Sequence, residues 1–277
     1  MKSANLPATQ EGRQYHIGLA PGEVAPFILL CGDPKRARRI ATYFKKARPE
    51  ITNREYVTIT GEYQGIPLTV MATGMGPDNT EMAFVELTQI VKSPTMIRVG
   101  TSGGLSRKLQ LGDQVISTGA VRLENTSTFF VSEGYPALAH HECILALIEA
   151  AERKKVSYHV GVTATASGFY GAQGRKIPNL PSRVPNLPAT LDAMNVLNFE
   201  MEASCLFSLG TLAGIRTGAI CTTVANRHFN IFMQKEDILR AEKECLEAGL
   251  EAFVILHHMD NARKKKKHWS PSMGCSG

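Results

Sequence analysis

The chain has 277 residues, 43% of them hydrophobic and 20% charged, with a formal net charge of +6. That length can bury the core of one large α/β domain, and the composition excludes collagen-like, low-complexity and charge-driven disordered chains. Five of the positive charges sit in Arg263-Lys264-Lys265-Lys266-Lys267, which leaves the body nearly neutral; a solvated basic end with one aromatic beside it, Trp269, predicts no nucleic-acid partner.

Residues 1–14 are polar, lack the apolar core of a signal peptide, and read as a flexible lead-in. No run reaches the ~20 apolar residues of a membrane helix, so no membrane partner is expected. The folded domain is placed at 15–260 and a disordered basic tail at 261–277. Phe27-Ile28-Leu29-Leu30-Cys31 predicts a buried strand. Gly32-Asp33-Pro34 ends it, and the spacing of Ala37, Ile40, Ala41 and Phe44 predicts a helix over 35–44, capped by Asp33 with Pro34 in its first turn. Strand, glycine and helix N-terminus together make an anion site from free N–H groups and the helix dipole. Arg36, one turn in, reinforces it.

Alternating residues 56–62 and 66–73, joined by Gln64-Gly65, predict a hairpin. Gly74-Met75-Gly76-Pro77-Asp78 then turns into a helix over 79–91. In Thr95-Met96-Ile97-Arg98-Val99-Gly100-Thr101-Ser102-Gly103-Gly104 an arginine occupies a buried strand, where an unpaired charge is costly. A protein carboxylate or a bound anion must meet it. The Thr101 and Ser102 hydroxyls and the N–H groups of the glycine turn favour an oxyanion. Strands follow over 114–121, 158–166 and 215–224, and helices over 140–154, 200–212 and 235–258. Four prolines within 176–188 mark an ordered loop or flap. The alternation of strands and helices predicts a single-domain α/β fold with a central mixed sheet flanked by helices. Six cysteines form no CxxC pair and no zinc-like Cys/His spacing. That usage suits a reducing compartment, and a cytoplasmic location is expected.

Taken in order, Gly32-Asp33-Pro34, Asn53-Arg54-Glu55, Gly74-Met75-Gly76, Arg98-Val99-Gly100-Thr101, Phe169-Tyr170, Gln173-Gly174-Arg175, Glu200-Met201-Glu202 and Asn226-Arg227 resemble the nucleoside phosphorylase family over 15–258. The early blocks are shared with its purine enzymes, whereas the Gln173/Arg175 pair marks the uracil-binding branch. The resemblance implies a partly barrel-like sheet and phosphorolysis of uridine, or of deoxyuridine or thymidine, to uracil and a pentose 1-phosphate. It implies inorganic phosphate as co-substrate, no redox cofactor and no catalytic metal. Gly32, Arg36, Arg98 and Thr101 are then the phosphate cradle, completed by Arg54 from a neighbouring subunit. Met201 and Glu202, with Glu200 nearby, face the ribose, and His16 reaches the 5′-hydroxyl across a dimer interface. A homodimer or an assembly of dimers is therefore expected.

The base site follows the chemistry of uracil. The Gln173 amide both donates and accepts along a carbonyl–NH–carbonyl edge, and Phe169 offers a stacking face. Arg175 donates to a carbonyl oxygen where negative charge gathers as the glycosidic bond breaks, which stabilises the transition state more than the ground state. Arg227 stands where the purine branch carries an acid and orders the base-binding loop; it cannot protonate a purine nitrogen. Arg98, Gln173 and Arg175 are the candidate catalytic residues. Two alternatives stay open: a phosphorylase or hydrolase directed at other nucleosides, and a non-catalytic nucleoside-binding paralogue, to which Gly174, the proline-rich flap and the small Ala225 lend some weight.

Overall fold

A computed structural model describes residues 4–274. The first apolar run forms β1 (Phe27–Cys31), followed by α1 (Pro34–Ala41), whose N-cap Asp33 accepts from the Lys35 N–H at 2.9 Å. A short β2 (Ile51–Asn53) leads into the hairpin of β3 (Tyr56–Tyr63) and β4 (Ile66–Ala72), and then α2 (Pro77–Ile90). The arginine-bearing strand is β5 (Thr95–Gly104); β6 (Gln114–Leu123), β7 (Ala137–Leu138), α3 (His141–Lys154) and β8 (Tyr158–Ala166) follow. The last third holds α4 (Leu187–Ala193), β9 (Val196–Glu200), α5 (Ala203–Ala213), β10 (Arg216–Asn226), β11 (Ile231–Phe232) and α6 (Lys235–Arg263).

All the named strands belong to one mixed sheet. Its order runs β11-β10-β6-β8-β9-β5-β1-β4-β3-β2, and β10 also pairs with β5. That extra pairing closes β5, β10, β6, β8 and β9 into a ring, the barrel-like part, while β1 to β4 extend from it as an open wing. β1 lies parallel to both β4 and β5, and β5 parallel to β10. Parallel strands covered on both faces read as continuous apolar runs, which is how Phe27–Cys31 and the start of β5 read. One core holds Leu29, Val99 and Phe253 beneath α3 and α6; the other holds Leu30, Met96 and Phe207 beneath α2 and α5. The C-terminal ends of β1, β5 and β10 emerge side by side, where ligands bind in α/β sheets.

Several expected boundaries move. Residues 200–202 belong not to α5 but to the end of β9 and the turn after it, and β9 itself was absent from the sequence reading. The helix expected to end at 258 continues to Arg263, and Trp269 packs back onto the core, so the chain beyond 260 is not simply a free basic tail. At the other end, Ala8 and Gln14 form a β-bridge. Among the described residues, no helix is long and apolar enough to cross a membrane. Five cysteines are free and buried, while Cys275 lies outside the described residues. Burial pushes the Cys31, Cys143 and Cys245 thiols up to about 12, which leaves none of them a ready nucleophile.

Candidate active site

A cleft of about 460 Å³ opens at these strand ends. Gly32 and Arg36 line it beside Arg98 and Thr101, and so do Phe169, Gln173, Arg175, Glu200, Met201 and Glu202. The fold brings two groups distant in sequence, around residues 98 and 175, to one cavity. Ser102, whose hydroxyl the sequence already offers to an oxyanion, lines it too, as do Met75, from the Gly74-Met75-Gly76 block, and Phe232, neither of which was expected as a site residue. Neither of these two carries a charge.

Arg98 is buried in β5, in register with Leu30 of β1 and Ala219 of β10. A Cβ on Gly100 would lie 2.8 Å from Arg98 Nη2, so the glycine two residues on lets the guanidinium fold back along its own strand. Protein carboxylates meet its charge. The Nε donates to Glu200 Oε2 at 3.1 Å, the Nη2 pairs with Glu202, and the same side chain lines the open cleft. Burial alone would lower the Arg98 pKa, but Glu202 and Glu200 outweigh it and hold the group above its usual value.

Glu200 ends β9 and is saturated with protein donors. Its carboxylate accepts from the Thr165 hydroxyl at 2.5 Å and from the N–H groups of Glu202 and Ala203, capping α5 from outside the helix. Glu202 accepts from the Gly76 N–H at 2.8 Å and the Met201 N–H at 3.2 Å. Burial and the Glu200 charge push its carboxyl up, while Arg98 and those two N–H groups pull it down. Arg36, in the first turn of α1, is likewise engaged: its guanidinium pairs with the buried Glu242 of α6, which also holds Arg39.

At the far end, Gln173 is 3% exposed within a single turn of 3₁₀ helix. Arg175 Nε donates to the Phe169 carbonyl at 2.8 Å, and its Cζ lies 3.9 Å from the centre of the Phe169 ring. Burial lowers the Arg175 pKa. Arg227 stands behind the cleft rather than in it: its N–H donates to the Gly104 carbonyl at 2.7 Å and its Nη1 is buried with no hydrogen-bond partner among the described residues. Burial and the charge of Arg175 push Arg227 down to about 10. Gly174 has a left-handed φ of 64°, and a Cβ there would meet Val184 O at 2.6 Å and Pro188 Cδ at 3.0 Å. The glycine between Gln173 and Arg175 is therefore the seat on which the proline-rich loop rests.

His16 and Arg54 do not line this cleft. They share another patch: the Arg54 Cζ sits 5.1 Å from the Tyr15 ring, and the Asn53 amide donates to the carbonyls of Tyr15 at 3.2 Å and His16 at 2.7 Å. Glu86 holds His16 through the Nδ1 at 2.6 Å and the backbone N–H at 3.0 Å.

Comparison with known proteins bears on this geometry. A family model described as the phosphorylase superfamily matches residues 26–255. A uridine phosphorylase of Thermococcus kodakarensis is 43% identical over 98% of this chain and 97% of its own length. A uridine phosphorylase of Treponema pallidum is 33% identical over 90% of this chain and 96% of its own. Among solved structures, a Trypanosoma brucei nucleoside phosphorylase that shows uridine phosphorylase activity superposes with a TM-score of 0.84. It is 27% identical, with 90% of this chain and 99% of that chain covered.

Proposed function

The chain belongs to the phosphorylase superfamily, and on that premise we propose that its cleft splits uridine with inorganic phosphate into uracil and ribose 1-phosphate. The observation that carries this reading is that Arg98 with Glu202 and Gln173 with Arg175 line one cavity. Phosphate binds at the end formed by Gly32, Arg36, Arg98 and Thr101, and attacks the anomeric carbon from there. Met201 and Glu202 take the ribose, the carboxylate accepting from its hydroxyls. Glu200, already saturated by Thr165, Ala203 and Glu202, holds Arg98 in place and does not touch the sugar.

Gln173 reads the uracil edge, and Arg175 stabilises the oxygen on which charge accumulates as the bond to the sugar breaks. Phe169, one face of which Arg175 covers, walls the base. Arg227 adds positive potential from behind. No side-chain nucleophile takes part, and phosphate serves as co-substrate.

Arg54 and His16 belong to the site of a second copy in a homodimer or an assembly of dimers. Their common patch, away from the cleft of their own chain, supports that assignment. The buried, unpaired cysteines suit a cytoplasmic enzyme of pyrimidine salvage. The test is initial-rate measurement on uridine, deoxyuridine, thymidine, inosine and guanosine, each with and without phosphate. Uracil release that requires phosphate, with the purine nucleosides inert, is the expected result. Equal turnover without phosphate would make the protein a hydrolase, and binding without turnover would make it a non-catalytic paralogue.

A further inference from the structure

The chain beyond α6 returns to the body at a definite point. Trp269 packs against the core under α3 and α6, and its backbone N–H donates to Glu142 Oε1 at 3.1 Å. This contact sets His268 next to His141 at the start of α3, with ring centroids 5.7 Å apart. Nitrogen atoms of the two imidazoles and a carboxylate oxygen of Glu142 all lie within 4.8 Å of one another. Both histidines are exposed, while Glu142 is buried.

We propose that His141, Glu142 and His268 form a binding site for a divalent transition ion of the zinc, nickel or copper class. Two imidazoles and one carboxylate are the donor set such ions select, with a remaining position for water. The carboxylate is already oriented for the task. Its Oε2 accepts from Arg216 Nη1 at 2.9 Å, and Arg216 is itself forked onto Asp260 by two contacts of 2.8 Å. That leaves Oε1, on the side of the returning segment, with a lone pair beyond the one taken by the Trp269 N–H. The cations around Glu142 do not make the locus repulsive. Arg216 and Arg263 are matched by Glu142 and Asp260, and the side chains of 264–267 are exposed to solvent. The bound ion ties residue 268 to α3 and fixes the segment that follows α6. None of the three ligands lines the cleft, so the site is structural.

The chain has one tryptophan, residue 269, adjacent to a proposed ligand, and its emission reports the site directly. The protein is titrated with Ni²⁺, then with an excess of Zn²⁺ as a non-quenching competitor. Saturable quenching at one ion per chain, reversed by Zn²⁺, is expected. His141→Ala and His268→Ala each weaken the midpoint by about tenfold or more, while His257→Ala does not, and uridine turnover is unchanged in all three. Conservative His141→Gln and His268→Gln variants repeat the measurement if an alanine variant folds poorly. Absence of saturable quenching, quenching that survives in the His141/His268 double variant, or loss of quenching in His257→Ala instead would overturn the proposal.

Discussion

Replacing Gly174 with alanine is the sharpest test of how the base end of the cleft is built. A left-handed φ of 64° costs an alanine roughly 1–2 kcal/mol. The added Cβ would also stand 2.6 Å from Val184 O and 3.0 Å from Pro188 Cδ. The first of these is backbone, and Val184 O already accepts from the Leu187 N–H at 3.1 Å, so the proline-rich loop must shift as a piece. Strain and contact together come to about 2–3 kcal/mol, which lowers Tm by about 4–12 °C for a chain of this size. Because Gln173 and Arg175 flank the glycine, a displacement near 1 Å lowers kcat/KM for uridine by about 100-fold. The phosphate end, anchored on β1 and β5, keeps its affinity. The assay is steady-state kinetics with both substrates varied, alongside thermal unfolding of the same preparation. Gly174→Asn, which tolerates the left-handed backbone but still carries a Cβ, separates strain from contact. An alanine variant with wild-type kcat/KM and wild-type Tm would refute the account.

Three other outcomes follow from the same geometry. Gln173→Leu exchanges an amide for an apolar group of similar size and should lower kcat/KM for uridine by about 10–100-fold, leaving Tm within a few degrees, since the donor and the acceptor it offers the base edge are both lost. Arg98→Ala leaves Glu200 and Glu202 buried without their cation, a loss of about 3–5 kcal/mol. Its sign with pH is fixed by Glu202, whose folded-state pKa is already raised and rises further without Arg98. The variant is therefore closest to wild type below the ordinary carboxylate range and loses stability as pH climbs through the raised value, as denaturant melts at a series of pH values would show. Mixing Arg54→Ala with Gln173→Leu should restore about a quarter of wild-type activity if subunits exchange into dimers and Arg54 acts across the interface. Activity no greater than the sum of the separate variants after exchange would return Arg54 to its own chain.

Local signals carried much of this architecture in the sequence. β1 and β8 occupy the predicted residues because each is a continuous apolar or alternating run with clear ends. β9 was missed because Val196 to Glu200 is short, mixed in polarity, and finishes on an acid that resembles the opening of a helix. Glu200 does serve that helix, but from outside it, by accepting the Glu202 and Ala203 N–H groups. What no local pattern displays is pairing at a distance. Arg98 and Glu200 are 102 residues apart, and Arg36 and Glu242 are 206 apart. Both arginines line the cleft, yet their engagement by carboxylates depends on how α6 and β9 return to the sheet. The role of Gly174 was hidden for the same reason, since Val184 and Pro188 reach it only through the path of the loop.

These pairings give the cleft a polarity that bears on the reaction. At the proposed phosphate end the chain's own cations are already balanced, Arg98 by Glu200 and Glu202 and Arg36 by Glu242. Without those carboxylates, Arg98 would be a buried unpaired charge in the empty enzyme, at a cost of several kcal/mol. With them, one chain has little surplus positive charge to offer a phosphate dianion, which is the shortfall that the proposed contribution of Arg54 from a second copy would fill. The base end is built the other way. Arg175 is held by a carbonyl and an aromatic face, and Arg227 has a buried Nη1 with no partner. In the proposed reaction negative charge travels from phosphate toward uracil as the glycosidic bond breaks, and it would move toward two guanidiniums that no carboxylate pairs with among the described residues. The field therefore favours departure of the base over its retention, with the donors oriented before the charge arrives.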